Sequence, residues 1–187
     1  MATTVILKNV RLSFPDLYKA RSFEGGGKAR YSASFLVEPG SENDKLIKEA
    51  INAAAKEAWK DEAGKKLKMY NGQKGQCCYL SGDNKEYEGY EGMMVLSAHR
   101  NEDNGAPKVV DRAKQDLPVS SGKIYAGCYV NAKVDIWIQT DKYPGIRAGL
   151  QVVQFVKDGE PLSGGGAPTA DDMPSLDEDI DDEDLLG

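Results

Sequence analysis

The chain has 187 residues, with 24 Lys and Arg against 30 Asp and Glu, a net charge of −6 and a single His. An apolar fraction of 40% allows one sizeable core, and no run of about eighteen apolar residues exists that would span a membrane. Cys77, Cys78 and Cys128 have neither disulfide-framework nor zinc-site spacing, and no basic-then-apolar leader precedes Val5, so free buried thiols in a reducing cytoplasm are expected.

Thr4 to Phe14 is β-rich, through Val5, Ile6, Leu7, Val10 and Leu12, and is expected to stop at Pro15. Gly25-Gly26-Gly27 marks a loop tip between Ser22 and Ala29. Arg30 to Val37 reads as a second strand. Ser41 is a suitable helix N-cap with Asp44 three residues on. Ile47, Ala50, Ile51, Ala54 and Ala58 then keep helical spacing, so an amphipathic helix is expected from Glu42 to about Asp61, with Gly64 as its stop. Residues 64–92 are rich in Gly, Tyr and Lys and show no clear period. Met93 to Ala98 and Lys108 to Val110 read as short strands.

Tyr125 to Ile138 has the clearest pattern. Ala126, Cys128, Val130, Ala132, Val134, Ile136 and Ile138 fall on one face, and Tyr125, Gly127, Tyr129, Asn131, Lys133, Asp135 and Trp137 on the other. After a turn at Tyr143-Pro144-Gly145, Arg147 to Lys157 reads as a partner strand with Ala148, Leu150, Val152 and Val156 on one side. Five or more strands with one inserted helix predict a mainly β (α+β) chain, an OB-fold-like, partly open barrel. Two regions follow: an OB-like domain over 1–163, and a Gly hinge with a disordered acidic tail over 164–187.

Charge divides the same way. From Ala167 to Gly187 there are nine acids and no Lys, Arg or aromatic residue, so residues 1–166 hold 24 basic and 21 acidic side chains, a net of +3. A mildly basic body with an acidic tail suits the handling of single-stranded nucleic acid. On the outward face Tyr129, Lys133 and Trp137 recur at about 13 Å, a pitch that could serve stacked bases and the phosphates between them. Trp137 could equally cover a small core with Phe155. Arg147 has matching parity on the next strand. Arg21, Lys28 and Arg30 flank the triple glycine, and Arg11, Phe14 and Tyr18 would extend that surface. Tyr90, in the repeat Tyr87-Glu88-Gly89-Tyr90, is a further stacking candidate, while Tyr87 reads as packed within its own loop. Each has a bland alternative as an ordinary surface or packing residue.

Catalysis finds little support. A nucleophile–His device would rest wholly on His99, which reads as a surface or groove residue. Asp111, Asp116 and Asp135 have no metal-specific spacing. No P-loop occurs, and no metal or cofactor is expected.

The tail reaches about 25 Å as a random coil, against a body radius of gyration of about 15 Å. It can therefore compete for its own basic surface. Asp179, Asp181, Asp182, Glu183 and Asp184, punctuated by Ile180, Leu185 and Leu186, offer a partner both charge and apolar grip.

Several stretches together resemble the phage single-stranded DNA-binding proteins. They are Val10-Arg11-Leu12-Ser13-Phe14-Pro15, Tyr31 to Val37, Tyr87-Glu88-Gly89, Pro107-Lys108-Val109-Val110-Asp111, Tyr125-Ala126-Gly127-Cys128-Tyr129 and Gly145 to Gln154, in family order across residues 5–162. The resemblance implies an OB-like fold and sequence-independent binding of single-stranded DNA in replication and recombination. It also implies replication or recombination proteins as partners of the tail. The tail resembles those of other single-strand binders, which typically end in Phe. This one ends Leu185-Leu186-Gly187. The alternatives are a metal-dependent recombination nuclease and an acidic DNA mimic, the latter opposed by the basic body. Oligomeric state stays open between monomer and dimer.

Overall fold

The computed structural model describes residues 2–22 and 27–162. The first strand, β1 (Thr3–Arg21), is longer than its sequence pattern announces. It runs through Pro15 because a bulge lies there: Ser13 pairs with Ser34 but Asp16 with Ser32, so one strand carries an extra residue. Pro15 lacks a donor, and a bulge is where a strand tolerates that. Phe14, beside it, takes φ +46°. A second bulge between Leu7 and Val10 moves the buried set from Val5 and Leu7 to Val10 and Leu12. Ile6, between Val5 and Leu7, faces outward.

The second strand, β2 (Arg30–Val37), has the expected bounds. Helix α1 (Glu42–Trp59) starts where Ser41 Oγ accepts from Asp44 N at 3.3 Å, and Asp44 accepts in return from Gly40 N at 2.9 Å. The helix ends at Lys60, whose φ is +49°, rather than at Gly64. Gly64 instead lies in the first turn of α2 (Ala63–Tyr70). Ala55 and Trp59 join Ile47, Ala50, Ile51 and Ala54 in the core, and Ala58 is exposed. Trp59 stacks on Tyr70 at 5.4 Å, which folds α2 back on α1.

The remaining strands are β3 (Tyr79–Ser81), β4 (Met94–Asn101), β5 (Lys108–Val110), β6 (Tyr129–Gln139) and β7 (Gly145–Lys157). They form one sheet in the order β3-β4-β2-β1-β6-β7-β5, and β4 also pairs with β7. That extra pairing closes β1, β2, β4, β7 and β6 into an OB-like five-stranded barrel, with β3 and β5 as flanking additions. The closure is parallel and rests on one position, His99 opposite Gly149. Helix α1 packs against β1 and β6. All three cysteines are buried free thiols.

The hairpin of β6 and β7 forms as expected, but the parity of β7 changes along its length. Lys133 pairs with Val152 and Val134 with Leu150, so Gln151 is an extra residue. The buried set changes from Ala148 and Leu150 to Val153 and Phe155, and Val152 and Val156 are not core. Phe155 is a core residue and Trp137 is not its companion. The division at residue 163 and the tail from 164 lie outside the described residues.

Asp44 is the buried acid that ties the helix to the barrel, accepting from Tyr79 Oη at 2.5 Å and pairing with Lys48 at 3.1 Å. Burial alone would raise its pKa, but the bonds from Tyr79, Gly40 and Lys48 outweigh that and hold the carboxyl below its usual range. Asp44→Ala removes the reciprocal bond from Gly40 N and leaves the Tyr79 hydroxyl without its acceptor. A loss of about 2–4 kcal/mol is expected, read as a lower urea midpoint at unchanged m-value.

Candidate functional site

Over the closure seam the barrel carries a groove of about 920 Å³. It runs across strands β2, β4, β7 and β6 rather than along any one of them. Trp137 on β6 lies directly opposite Arg147 on β7, and Ser32, two residues beyond Arg30 on β2, lies opposite His99 on β4. Arg30, Lys74, Lys85 and Arg147 all line the groove, against one acid, Asp141. Trp137 is 38% exposed and Tyr143 76%, two of the few large apolar side chains left in solvent. A smaller groove of about 210 Å³ shares His99, Asn101 and Trp137 with the first and continues past Gly149 to Arg100 and Gln151.

The charges are set close enough to oppose one another. Burial, then Arg30, then Arg147, hold the pKa of His99 down at about 4, so the imidazole is neutral at ordinary pH. Burial and Arg147 likewise push Arg30 down. A cluster of like charges with two exposed aromatics is suited to receiving an anion that carries flat, apolar groups.

The structure brings together three of the residues nominated from sequence: Arg30, Trp137 and Arg147. It places the others elsewhere. Lys133 is exposed on the outer face of β6, but Asp135 lies between it and Trp137, accepting from Thr4 Oγ1 and Gln151 Nε2 at 2.7 Å each. Tyr129 is at the far end of β6, half-buried, with Lys157 Nζ 4.9 Å from its ring centre. Arg21 pairs with Asp16 at 3.4 Å and Lys28 with Asp103 at 3.1 Å, so each loop cation has a carboxylate. Arg11 donates to the carbonyls of Gly127 and Glu160, tethering the last described stretch to the barrel. Tyr18 is half-buried and donates to Leu117 O at 2.8 Å.

Tyr90 is corrected outright. Its ring is 1% exposed, and its hydroxyl lies 2.7 Å from Ser13 Oγ. It belongs to a second small core with Leu36, Val95 and Leu162, edge-on to Tyr87 at 5.2 Å. Phe14 packs on the same cluster, 4.9 Å from Tyr87. The tail residues Asp179 to Leu186 lie outside the described residues. Asp111, Asp116 and Asp135 do not converge on a common point. Asp111 accepts from Ala113 N and Gln115 N, Asp116 pairs with Lys108, and Asp135 sits on β6. Among the described residues no three His, Cys, Asp or Glu side chains are grouped to hold a metal, and no helix is long and apolar enough to cross a membrane.

Sequence reasoning passed over Lys74, Lys85 and Tyr143. The two lysines fall in the aperiodic 64–92 stretch. Tyr143 carried a signal, since a tyrosine at a Pro-Gly turn has no core to fill.

Residues 3–186 match the family model described as "Enterobacter phage Enc34, ssDNA-binding protein". The chain therefore belongs to that family. A curated relative, protein p50 of Acyrthosiphon pisum secondary endosymbiont phage 1, is 38% identical over 175 residues, covering 91% of this chain and 92% of the relative. Among solved structures, the single-stranded DNA-binding protein from bacteriophage Enc34 in complex with ssDNA superposes at TM-score 0.69 and 29% identity, over 84% of this chain and 88% of that one. The single-stranded DNA-binding protein gp2.5 of bacteriophage T7 superposes at TM-score 0.56 over 97% of this chain and 96% of that one. At 11% identity, that second likeness is one of fold alone.

A pH prediction follows from His99. Its folded pKa of about 4 lies below the ordinary value of about 6.5. The unfolded chain therefore takes up a proton that the folded chain refuses. The stability contribution is complete above pH 6.5 and is lost as pH falls towards 4. Between about pH 7 and about pH 5 the urea midpoint of the wild-type chain should fall more than that of His99→Gln. Equal falls would show that folding does not depress the His99 pKa.

Proposed function

We propose that this chain coats single-stranded DNA without regard to sequence during phage replication and recombination, in the host cytoplasm. It acts as a binding protein with no catalytic step. The observation that carries this reading is the groove itself, in which Arg30, Lys74 and Lys85 gather beside Trp137 and Tyr143 with a single acid among them. The complex of the Enc34 family member with ssDNA supports it.

The physics divides into two terms. Phosphates displace the counterions of the groove cations, a contribution that weakens with salt. Bases stack on Trp137 and Tyr143 at about 1–3 kcal/mol each, whatever their identity. The tail, with nine acids and no cation from Ala167 onward, competes for the same cations when DNA is absent. Once displaced, its Asp179–Leu186 end is offered to replication or recombination proteins.

Trp137→Ala and Tyr143→Ala should each weaken binding of a labelled oligo-dT by roughly 5- to 100-fold, with melting temperature unchanged. Lys74→Gln and Lys85→Gln should each lower the slope of log K against log salt by about 0.7. Removing residues 167–187 should tighten binding at low salt. Fluorescence anisotropy at several salt concentrations reads all three. Binding that ignores Trp137 and Tyr143 but falls with Tyr129→Ala and Lys133→Ala would move the site to the strand face. A nuclease would instead cut the oligonucleotide in a metal-dependent way, and a DNA mimic would not bind it even without the tail.

A further inference from the structure

Arg147 is a groove cation whose guanidinium is bound on three sides. Its Nη1 donates to Gly75 O at 2.9 Å, its Nη2 to Tyr143 O at 2.8 Å and its Nε to Gln139 Oε1 at 3.4 Å. All three acceptors are neutral. They belong to three different segments: the stretch before β3, the β6–β7 turn, and the end of β6.

The seat is built for this fork. Position 145 is glycine, and a Cβ there would lie 2.6 Å from Gln76 O and 3.0 Å from both Arg147 Cζ and Nη2. Gln76 O in turn accepts from Ile146 N at 2.8 Å, and Cys78 N donates to Ile146 O at 2.9 Å, so residues 76–78 are fastened along the start of β7. Lys74 stands at the exposed near end of that stretch. On the other side, Tyr143 has φ +63°, in the left-handed region that a tyrosine rarely adopts unaided. The guanidinium bond to its carbonyl holds that conformation. Gln139, which accepts from Arg147, also donates to Lys142 O and so braces the same turn.

We infer that Arg147 is a positioning residue for single-strand binding, one that presents the Tyr143 ring to the groove. It is not a phosphate ligand in its own right. The inference rests on the groove reading above and assigns Arg147 a different role from Arg30, Lys74 and Lys85. Its physical core is geometric. A lysine keeps the charge but has one point of donation on a flexible stem, and cannot bond three segments in a plane as a guanidinium does.

The test is a double-mutant cycle on the full chain with oligo-dT. It uses Arg147→Lys, Tyr143→Ala and the pair, measured over a salt series, with melting temperature as control. Positioning predicts that Arg147→Lys weakens binding about as much as Tyr143→Ala, roughly tenfold, at an unchanged salt slope. The pair should then lose little more than either alone. A phosphate-ligand role predicts that Arg147→Lys binds within about twofold of wild type and that Tyr143→Ala costs its full amount in either background. That result overturns the inference.

Gln139→Leu covers the case in which Arg147→Lys melts early. It leaves Arg147 in place and removes one brace of the turn. A loss of severalfold at unchanged salt slope, absent in the Tyr143→Ala background, supports positioning, and no loss contradicts it. If neither Tyr143→Ala nor Trp137→Ala affects binding, the groove reading itself is wrong and the role of Arg147 falls with it.

Discussion

The parallel seam between β4 and β7 is the constraint on which the rest depends. A five-stranded barrel closes only when its strands coil and tilt together. Here the last two edges meet at one paired position, His99 with Gly149. Both grooves border that position: His99 lines the two of them, and Gly149 the smaller. The site is therefore the product of incomplete zipping, at the point where the fold has the fewest ladder bonds to satisfy its own backbone. What secures the walls instead are side-chain forks. Arg147 reaches from β7 to Gly75 and Tyr143, and Arg100 reaches from β4 to Gly105 O, Asn104 O and Gln151.

Electrostatics is concentrated at the same place and at some cost to the folded state. Burial and the nearby Arg147 push Arg30 down, and burial together with both arginines keeps His99 neutral. An isolated protein gains nothing from gathering cations at a half-buried seam, and a polyanion threading it relieves the repulsion. Outside the groove, several cations are matched by carboxylates: Arg21 with Asp16, Lys28 with Asp103, Lys108 with Asp116. The contrast between paired cations on the β1–β2 arm and the cation-rich groove separates the two basic surfaces that sequence alone treats alike.

Much of the fold was legible because it follows from short-range rules. The bounds of β2, the Ser41 cap and the alternation from Tyr129 onward appear where pattern and capping chemistry put them, while residues 125–128, expected in the same strand, form the turn that precedes it. The misses on β1 and β7 share one cause. Bulges at Pro15 and at Gln151 each insert one residue, and period-two reasoning cannot see an insertion that flips every later side chain. The candidate site was harder to read because it is assembled across strands. Reasoning along β6 linked Trp137 to Tyr129 and Lys133, with Asp135 in between. The structure links Trp137 sideways to Arg147, and through the seam to His99 and Arg30. Tyr90 was misjudged for a different reason: a tyrosine in a Gly-rich repeat looks exposed until the facing Ser13 supplies its hydroxyl with a buried partner.

Photo-crosslinking would test the central claim most directly: the full chain bound to oligonucleotides carrying 5-iododeoxyuridine, with adducts located by mass spectrometry. The account predicts adducts on Trp137 and Tyr143, suppressed by salt and by unlabelled oligo-dT. Adducts confined to Tyr129, Tyr87 or Tyr18, with none on Trp137 or Tyr143, would contradict it and move the DNA off the seam.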